Sequence, residues 1–307
     1  MIEVENLTKR YGDTLAVHDL SFTVEPGAVT GFLGPNGAGK STTMRMIAGL
    51  DRPTSGSVRV NGSVYRDSVA PMAELGSLLE VRAAHTGRSA RNHLVALAQT
   101  AGLGRRRVDE VLELVGLQDV AADRVGRFSL GMGQRLGIAA ALLGSPRTVV
   151  LDEPVNGLDP DGVRWIRTML RGLADEGRTV FVSSHLMSEM AQTATRLVVV
   201  GRGRLIADST VEEFVAASTS TSVVVRSRDA GRLRDLLRGP HVTVTSDEAD
   251  VLQVTGLSAE QVGAVAASAG VPLSELAAVR ASLEDAYLSA THGEVEYAAA
   301  STEGVRR

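Results

Sequence analysis

With 307 residues, 44% of them hydrophobic, the chain can bury one large α/β domain and a smaller second one. Its net charge of −4 and its 3% aromatic content offer neither a basic field for a phosphate backbone nor stacking platforms for bases, so no nucleic acid is expected as a partner. Cysteine is absent, which excludes disulfides, thiolate metal sites and cysteine nucleophiles.

The first residues carry acids, Glu3 and Glu5, where an export signal would carry bases. The most apolar stretch, 136–151, is broken by Gly144, Pro146 and Arg147, short of the ~20 apolar residues of a spanning helix. Any membrane role is therefore expected from the cytoplasmic face, as a peripheral subunit.

In chain order, alternating segments 2–7 and 20–24 predict antiparallel strands joined through the turn at Tyr11-Gly12-Asp13. The apolar run 29–33 predicts a strand, followed by a glycine-rich loop and a helix over 40–50. Residues 57–60 with Asn61-Gly62 predict a hairpin. Helical periodicity over 91–143 predicts an inserted helical subdomain, about 86–143. Residues 148–151, 179–183 and 197–200 read as strands and 163–173 as a helix. Strand thus alternates with helix, which predicts a mainly parallel sheet covered by helices. The Ser/Thr-rich stretch 217–222 reads as a linker. Beyond it a βαββαβ-like order runs through Val223, Leu233, Val242, Val251, Val262 and Val279, with a last helix over 283–288. Residues 293–307, without periodicity, read as a disordered tail.

The loop Gly34-Pro35-Asn36-Gly37-Ala38-Gly39-Lys40-Ser41, followed by Thr42, fits the phosphate-binding pattern GxxxxGK[ST] and lies between a buried strand and a helix, where that pattern works. Glycines let successive backbone N–H groups turn toward phosphate oxygens, the helix N-terminus adds partial positive charge, Lys40 reaches the outer phosphates and the Ser41 hydroxyl ligates Mg²⁺. Lysine occurs only at positions 9 and 40, the other thirty basic residues being arginine. A chain that uses arginine elsewhere keeps the compact ammonium where a planar guanidinium would not fit between phosphates, although Lys9 shows that chance alone can place one.

The apolar run 148–151 ends in Asp152-Glu153-Pro154. Acids can merely close a strand, but here Asp152 can face Mg²⁺ while Glu153 points at a water attacking a γ-phosphate. Upstream stands Phe128-Ser129-Leu130-Gly131-Met132-Gly133-Gln134, opening an alanine- and leucine-rich helix, and downstream Asn156-Gly157-Leu158-Asp159-Pro160. In this order the elements resemble the ATP-binding cassette (ABC) family over about residues 1–215. Leu130 and Met132 depart from that family's LSGGQ signature.

The resemblance implies an α/β P-loop NTPase (RecA-like) core with an antiparallel β-subdomain and an inserted helical subdomain. A small α+β C-terminal domain, 216–292, follows it. It implies ATP and Mg²⁺ as cofactors, with Lys40, Glu153 and His185 catalytic and Ser41, Asp152 and Glu80 near the metal. Residues 34–42 and Tyr11 would hold the nucleotide, Tyr11 by stacking on adenine; the lesser alternative for Tyr11 is packing on its turn, and a histidine such as His185, taken alone, is more often an ordinary surface residue. Ser129 and Gly131 would touch the nucleotide of a second copy, Asp159 would lie in the D-loop, and Glu80 stands where the family usually has glutamine. The implied function is an ATPase that powers a transporter through a self-dimer closing on ATP, against a separate transmembrane permease docked near 81–93. The order of domains resembles the bacterial drug and peptide-antibiotic exporters. Soluble ABC ATPases of ribosome or nucleic-acid complexes are the alternative; those carry two cassettes or a long coiled coil, neither of which is seen here. A small-molecule kinase would lack the signature.

Overall fold

A computed structural model describes residues 1–80, 84–217, 222–240, 242–279 and 282–291. The chain forms two compact units, dividing between Val211 and Glu212. The expected tail, 293–307, and residues 218–221 of the expected linker lie outside the described residues.

In the first unit, strands β1 (Ile2–Tyr11) and β2 (Thr14–Val24) pair antiparallel around Gly12, whose φ is +55°. Both strands run longer than their alternation predicts. Register shifts after Val4, Leu7 and Lys9 break the period of two while backbone pairing continues, and Asn6 takes φ +47° at one of them. Strand β3 (Val29–Leu33) is fully buried and leads into helix α1 (Lys40–Ile47). Strand β4 (Ser55–Val60) pairs with β1.

The hairpin expected at Asn61-Gly62 does not form. A single bridge, Val60 to Ser63, closes the turn, and the chain continues through a 3-10 turn at Tyr65–Asp67. The Asn61 side chain is committed elsewhere: its oxygen accepts from the Met1 amine at 2.9 Å and the Thr148 hydroxyl at 3.0 Å, and its amide donates to Glu74 at 2.7 Å.

Next come helix α2 (Pro71–Glu74) and strand β5 (Leu75–Leu78), then helices α3 (Ala90–Thr100), α4 (Arg105–Leu114) and α5 (Leu130–Leu142). After strand β6 (Thr148–Leu151) follow α6 (Pro160–Asp175), β7 (Thr179–Ser183), α7 (Met187–Thr193), β8 (Arg196–Gly201) and β9 (Arg204–Thr210); α8 (Val211–Ala217) starts at the division and belongs from Glu212 on to the second unit. The main sheet runs β5-β6-β7-β3-β8-β9, parallel except at β9. Its connections therefore cross over through helices, which cover the sheet, and the strands read as continuous apolar runs.

The second unit follows the order strand β10 (Ser222–Arg226), α9 (Ala230–Leu236), β11 (Thr243–Glu248), β12 (Val251–Thr255), α10 (Ala259–Ser268), β13 (Glu275–Val279) and α11 (Leu283–Thr291). Its antiparallel sheet runs β11-β12-β10-β13 over a core of Val223, Val225, Leu233, Leu252, Val254 and Val262.

The core of the first unit joins the three-stranded sheet to the parallel one. Phe22, Phe32 and Phe181 meet there with ring centroids 4.9–5.8 Å apart. Phe181→Ala removes a fully buried ring from a packed cluster and is expected to cost about 3–5 kcal/mol, read as a lower midpoint in denaturant unfolding.

Candidate functional site

The parallel sheet sends β3, β6 and β7 to the same edge, and each carries part of the site just past its end. After β3 the phosphate loop closes on Gly39, which caps α1 with φ +91°. A Cβ there would lie 2.5 Å from the Ala16 carbonyl oxygen, so both the backbone angle and the space require glycine. Lys40 is buried, and its ammonium donates to the carbonyls of Gly34 at 2.6 Å and Pro35 at 3.1 Å. Burial lowers its pKa, against the opposing pull of Glu153 and Asp152.

After β6, Asp152 accepts at Oδ2 from the Ser41 hydroxyl at 2.8 Å and at Oδ1 from the Ser183 hydroxyl. Glu153 adopts φ +51°, a left-handed conformation that costs a non-glycine residue of order 1 kcal/mol. Its N–H donates to the Ser183 hydroxyl at 2.9 Å and its carbonyl accepts from the Gln134 amide at 3.1 Å. After β7, His185 Nδ1 lies 2.7 Å from Glu153 Oε2. Ser41, Asp152, Glu153 and His185 are thus one connected group, and Ser183 is its middle link.

Tyr11 donates its hydroxyl to Asp51 at 2.8 Å and has the Lys9 ammonium 4.7 Å over its ring, which stays 46% exposed. Asp51 also accepts from Arg45 at 3.0 Å, and Arg45 lies 3.5 Å from the Glu80 carboxylate. Glu80 therefore faces a guanidinium here.

Ser129 and Gly131 form a second cluster. Ser129 caps α5, accepting from the Met132 N–H at 3.2 Å, and a Cβ on Gly131 would come within 2.8 Å of the Gly157 carbonyl oxygen. Asp159 caps α6 by accepting from the Gly162 N–H at 2.8 Å. Gln134, on α5, joins this cluster to the first through Glu153. Its other amide atom, Oε1, is buried without a partner among the described residues.

Ser183, Gln134, Asp51 and Arg45 are absent from the sequence-based site. Two had a signal: Gln134 ends the signature-like run that starts at Phe128, and Ser183 stands in the Val182-Ser183-Ser184-His185 run, as a polar residue ending an otherwise apolar strand.

A phosphate loop after the first parallel strand and a carboxylate pair after β6, two strands away across β7, define a P-loop nucleoside triphosphatase. Residues 17–156 match the family described as ABC transporter, and residues 221–284 match a domain of unknown function (DUF8746). The chain is 43% identical to the bacitracin transport ATP-binding protein BcrA of Bacillus licheniformis, covering 67% of this chain and 68% of that one. It is 36% identical to the daunorubicin resistance ATP-binding protein DrrA3 of Streptomyces coeruleorubidus over 94% and 95%. The solved dimeric structure of MJ0796, a bacterial ABC transporter cassette, superposes with a TM-score of 0.64 at 25% identity, covering 68% of this chain and 98% of that one. The chain belongs to the ABC transporter family, as an ATP-binding and ATP-hydrolysing subunit.

Because Lys40 is depressed, it loses its proton at lower pH than an ordinary lysine, and a bound polyanion restores the charged form. ATP affinity is expected to fall as pH rises through that lowered value, with proton uptake on binding. Titration calorimetry at alkaline pH in two buffers of different ionisation enthalpy checks this; identical heats would contradict it.

Proposed function

We propose that the subunit powers a separate membrane-spanning permease by closing, with a second copy, around ATP. One observation carries the reading: the hydrogen-bonded path Ser41–Asp152–Ser183–Glu153–His185 lies beside the phosphate loop. Tyr11 stacks on adenine, and the amides of residues 34–42 with Lys40 hold the outer phosphates. Glu153 polarises the attacking water, and His185, already held by Glu153, contacts the γ-phosphate. The hydroxyl of Ser41 and the carboxylate of Asp152 are hard oxygens side by side, a donor set that suits Mg²⁺, which neutralises phosphate charge when bound. Glu80 is the further oxygen in this scheme, and Arg45 balances its charge in the meantime.

Ser129 and Gly131 present a helix N-terminus, an anion site, to the nucleotide of the opposite copy in a head-to-tail dimer, with Asp159 at the same contact. The dimeric state of the cassette relative supports that arrangement. The permease docks by a cytoplasmic loop at residues 81–93, of which 81–83 lie outside the described residues. An apolar groove of about 380 Å³, lined by Leu50, Leu79, Glu80, His93, Leu97 and Leu136, supports this placement. Among the described residues no helix is long and apolar enough to cross a membrane, which accords with a peripheral position on the cytoplasmic face. The names of the bacitracin and daunorubicin relatives favour export of a drug or peptide antibiotic.

Glu153→Gln is expected to bind ATP normally, accumulate a dimer on size-exclusion chromatography with ATP, and turn over about 100-fold or more slowly. Unchanged hydrolysis would remove Glu153 from its role. Lys40→Ala is expected to weaken ATP binding about 10- to 100-fold, the loss of a charged hydrogen bond; wild-type affinity by fluorescent-nucleotide titration would defeat the assignment of the phosphate loop.

A further inference from the structure

We propose that Ser183 is the positioning residue of the acid pair, its single hydroxyl setting both the Asp152 carboxylate and the Glu153 backbone. The inference rests on the reading of Asp152 and Glu153 given above.

Ser183 closes β7 after Thr179, Val180, Phe181 and Val182, and it is fully buried. Packing alone would be met by alanine at such a place. The hydroxyl is instead used twice: its one hydrogen goes to Asp152 Oδ1, and its lone pair receives the Glu153 N–H at 2.9 Å. Since a hydroxyl has one hydrogen, donation to Asp152 turns its lone pairs toward Glu153, so the two bonds fix each other's direction.

The consequences differ for the two acids. Asp152 is held at both carboxylate oxygens by hydroxyls, Ser41 on Oδ2 and Ser183 on Oδ1, which leaves its plane no freedom to rotate. Glu153 is held in its left-handed backbone by Ser183 on the N–H and Gln134 on the carbonyl. That backbone angle aims its side chain at His185. Removing the hydroxyl strands a buried N–H and frees one carboxylate oxygen, so the backbone relaxes toward an ordinary angle and both carboxylates shift. Geometry is lost while the phosphate loop is untouched.

The test compares Ser183→Ala and Ser183→Thr in the full chain. In S183A, turnover at saturating ATP is expected to fall roughly 10- to 100-fold, the scale of a displaced catalytic group. The KM for ATP should stay close to wild type, and the Mg²⁺ concentration for half-maximal rate should rise severalfold. S183T, which keeps the hydroxyl, should recover most of the rate and the wild-type Mg²⁺ dependence. Wild-type turnover and Mg²⁺ dependence in S183A would overturn the proposal. So would an S183T as slow as S183A when both unfold at the wild-type temperature. If S183A does not fold, Ser183→Cys, a weak donor and acceptor of similar size, takes its place in the same comparison. Glu153→Gln measured alongside separates the two levels. Turnover lost in E153Q but kept in S183A sinks the positioning role alone, whereas turnover kept in both sinks the reading of the acid pair.

Discussion

The structure depends on the parallel register of β6, β7 and β3. Parallel strands all end on one edge, so residues far apart in sequence leave the sheet side by side. Leu151 pairs with Val182 and Phe32 with Ser183, which sets Asp152 beside Ser183 and both near the loop that follows Leu33. A slip of one residue in either pair would turn Ser183 to the opposite face and separate Asp152 from it. The buried runs of β6 and β7 end at Leu151 and Ser183, so the hydrophobic core also places the chemistry. The Phe32 and Phe181 rings, 4.9 Å apart, lie two or fewer residues from the groups they align.

Two local costs are carried at that edge. Lys40 gives up part of its hydration, and its charge is met by carbonyl oxygens of its own loop. Glu153 gives up a relaxed backbone. Neither is compensated by its immediate neighbours in sequence. The Lys40 ammonium is supported by Asp152 and Glu153 more than 100 residues away, and Glu153 by Ser183 and Gln134. The two serve different ends: a desolvated cation attracts an anion strongly, and a carboxylate fixed before substrate arrives needs no reorganisation when it acts.

What the sequence makes legible is whatever a local rule demands. The phosphate loop needs glycine at a left-handed position and lysine in a chain of arginines, and both demands fall within eight residues. The acid pair is visible because a buried strand ends in charge. The helices of the inserted subdomain and the βαββαβ order of the second unit follow from periodicity. By contrast, β5 and α7 are short and mix polar with apolar residues, β9 is an edge strand with no buried residue to give it an apolar run, and the polar ends of β1 and β2 hide pairing carried by the backbone. Asn61-Gly62 reads as a hairpin because its competing partners, Met1, Thr148 and Glu74, are distant in sequence. Ser183, Gln134, Asp51 and Arg45 escape for the same reason: each acts through a group from another part of the chain.

The geometry of the second cluster bears on why two copies would be needed. The hydrogen bond of the Ser129 side chain stays within its own helix, and Gly131 packs on Gly157. Neither bonds to the phosphate loop of its own chain among the described residues. A helix N-terminus with exposed N–H groups is an anion site looking for an anion. The head-to-tail dimer proposed above would set this helix N-terminus against the phosphate loop of the other copy. Within one chain Gln134 ties helix α5 to the Glu153 carbonyl, so the half proposed to meet the partner's nucleotide and the acid proposed to act on this chain's own share a single hydrogen bond. Leu130, which stands where the signature usually has glycine, is half exposed and packs over Gly157. The departure from the family pattern thus falls on a residue that packs against the segment leading to Asp159, the cap of α6.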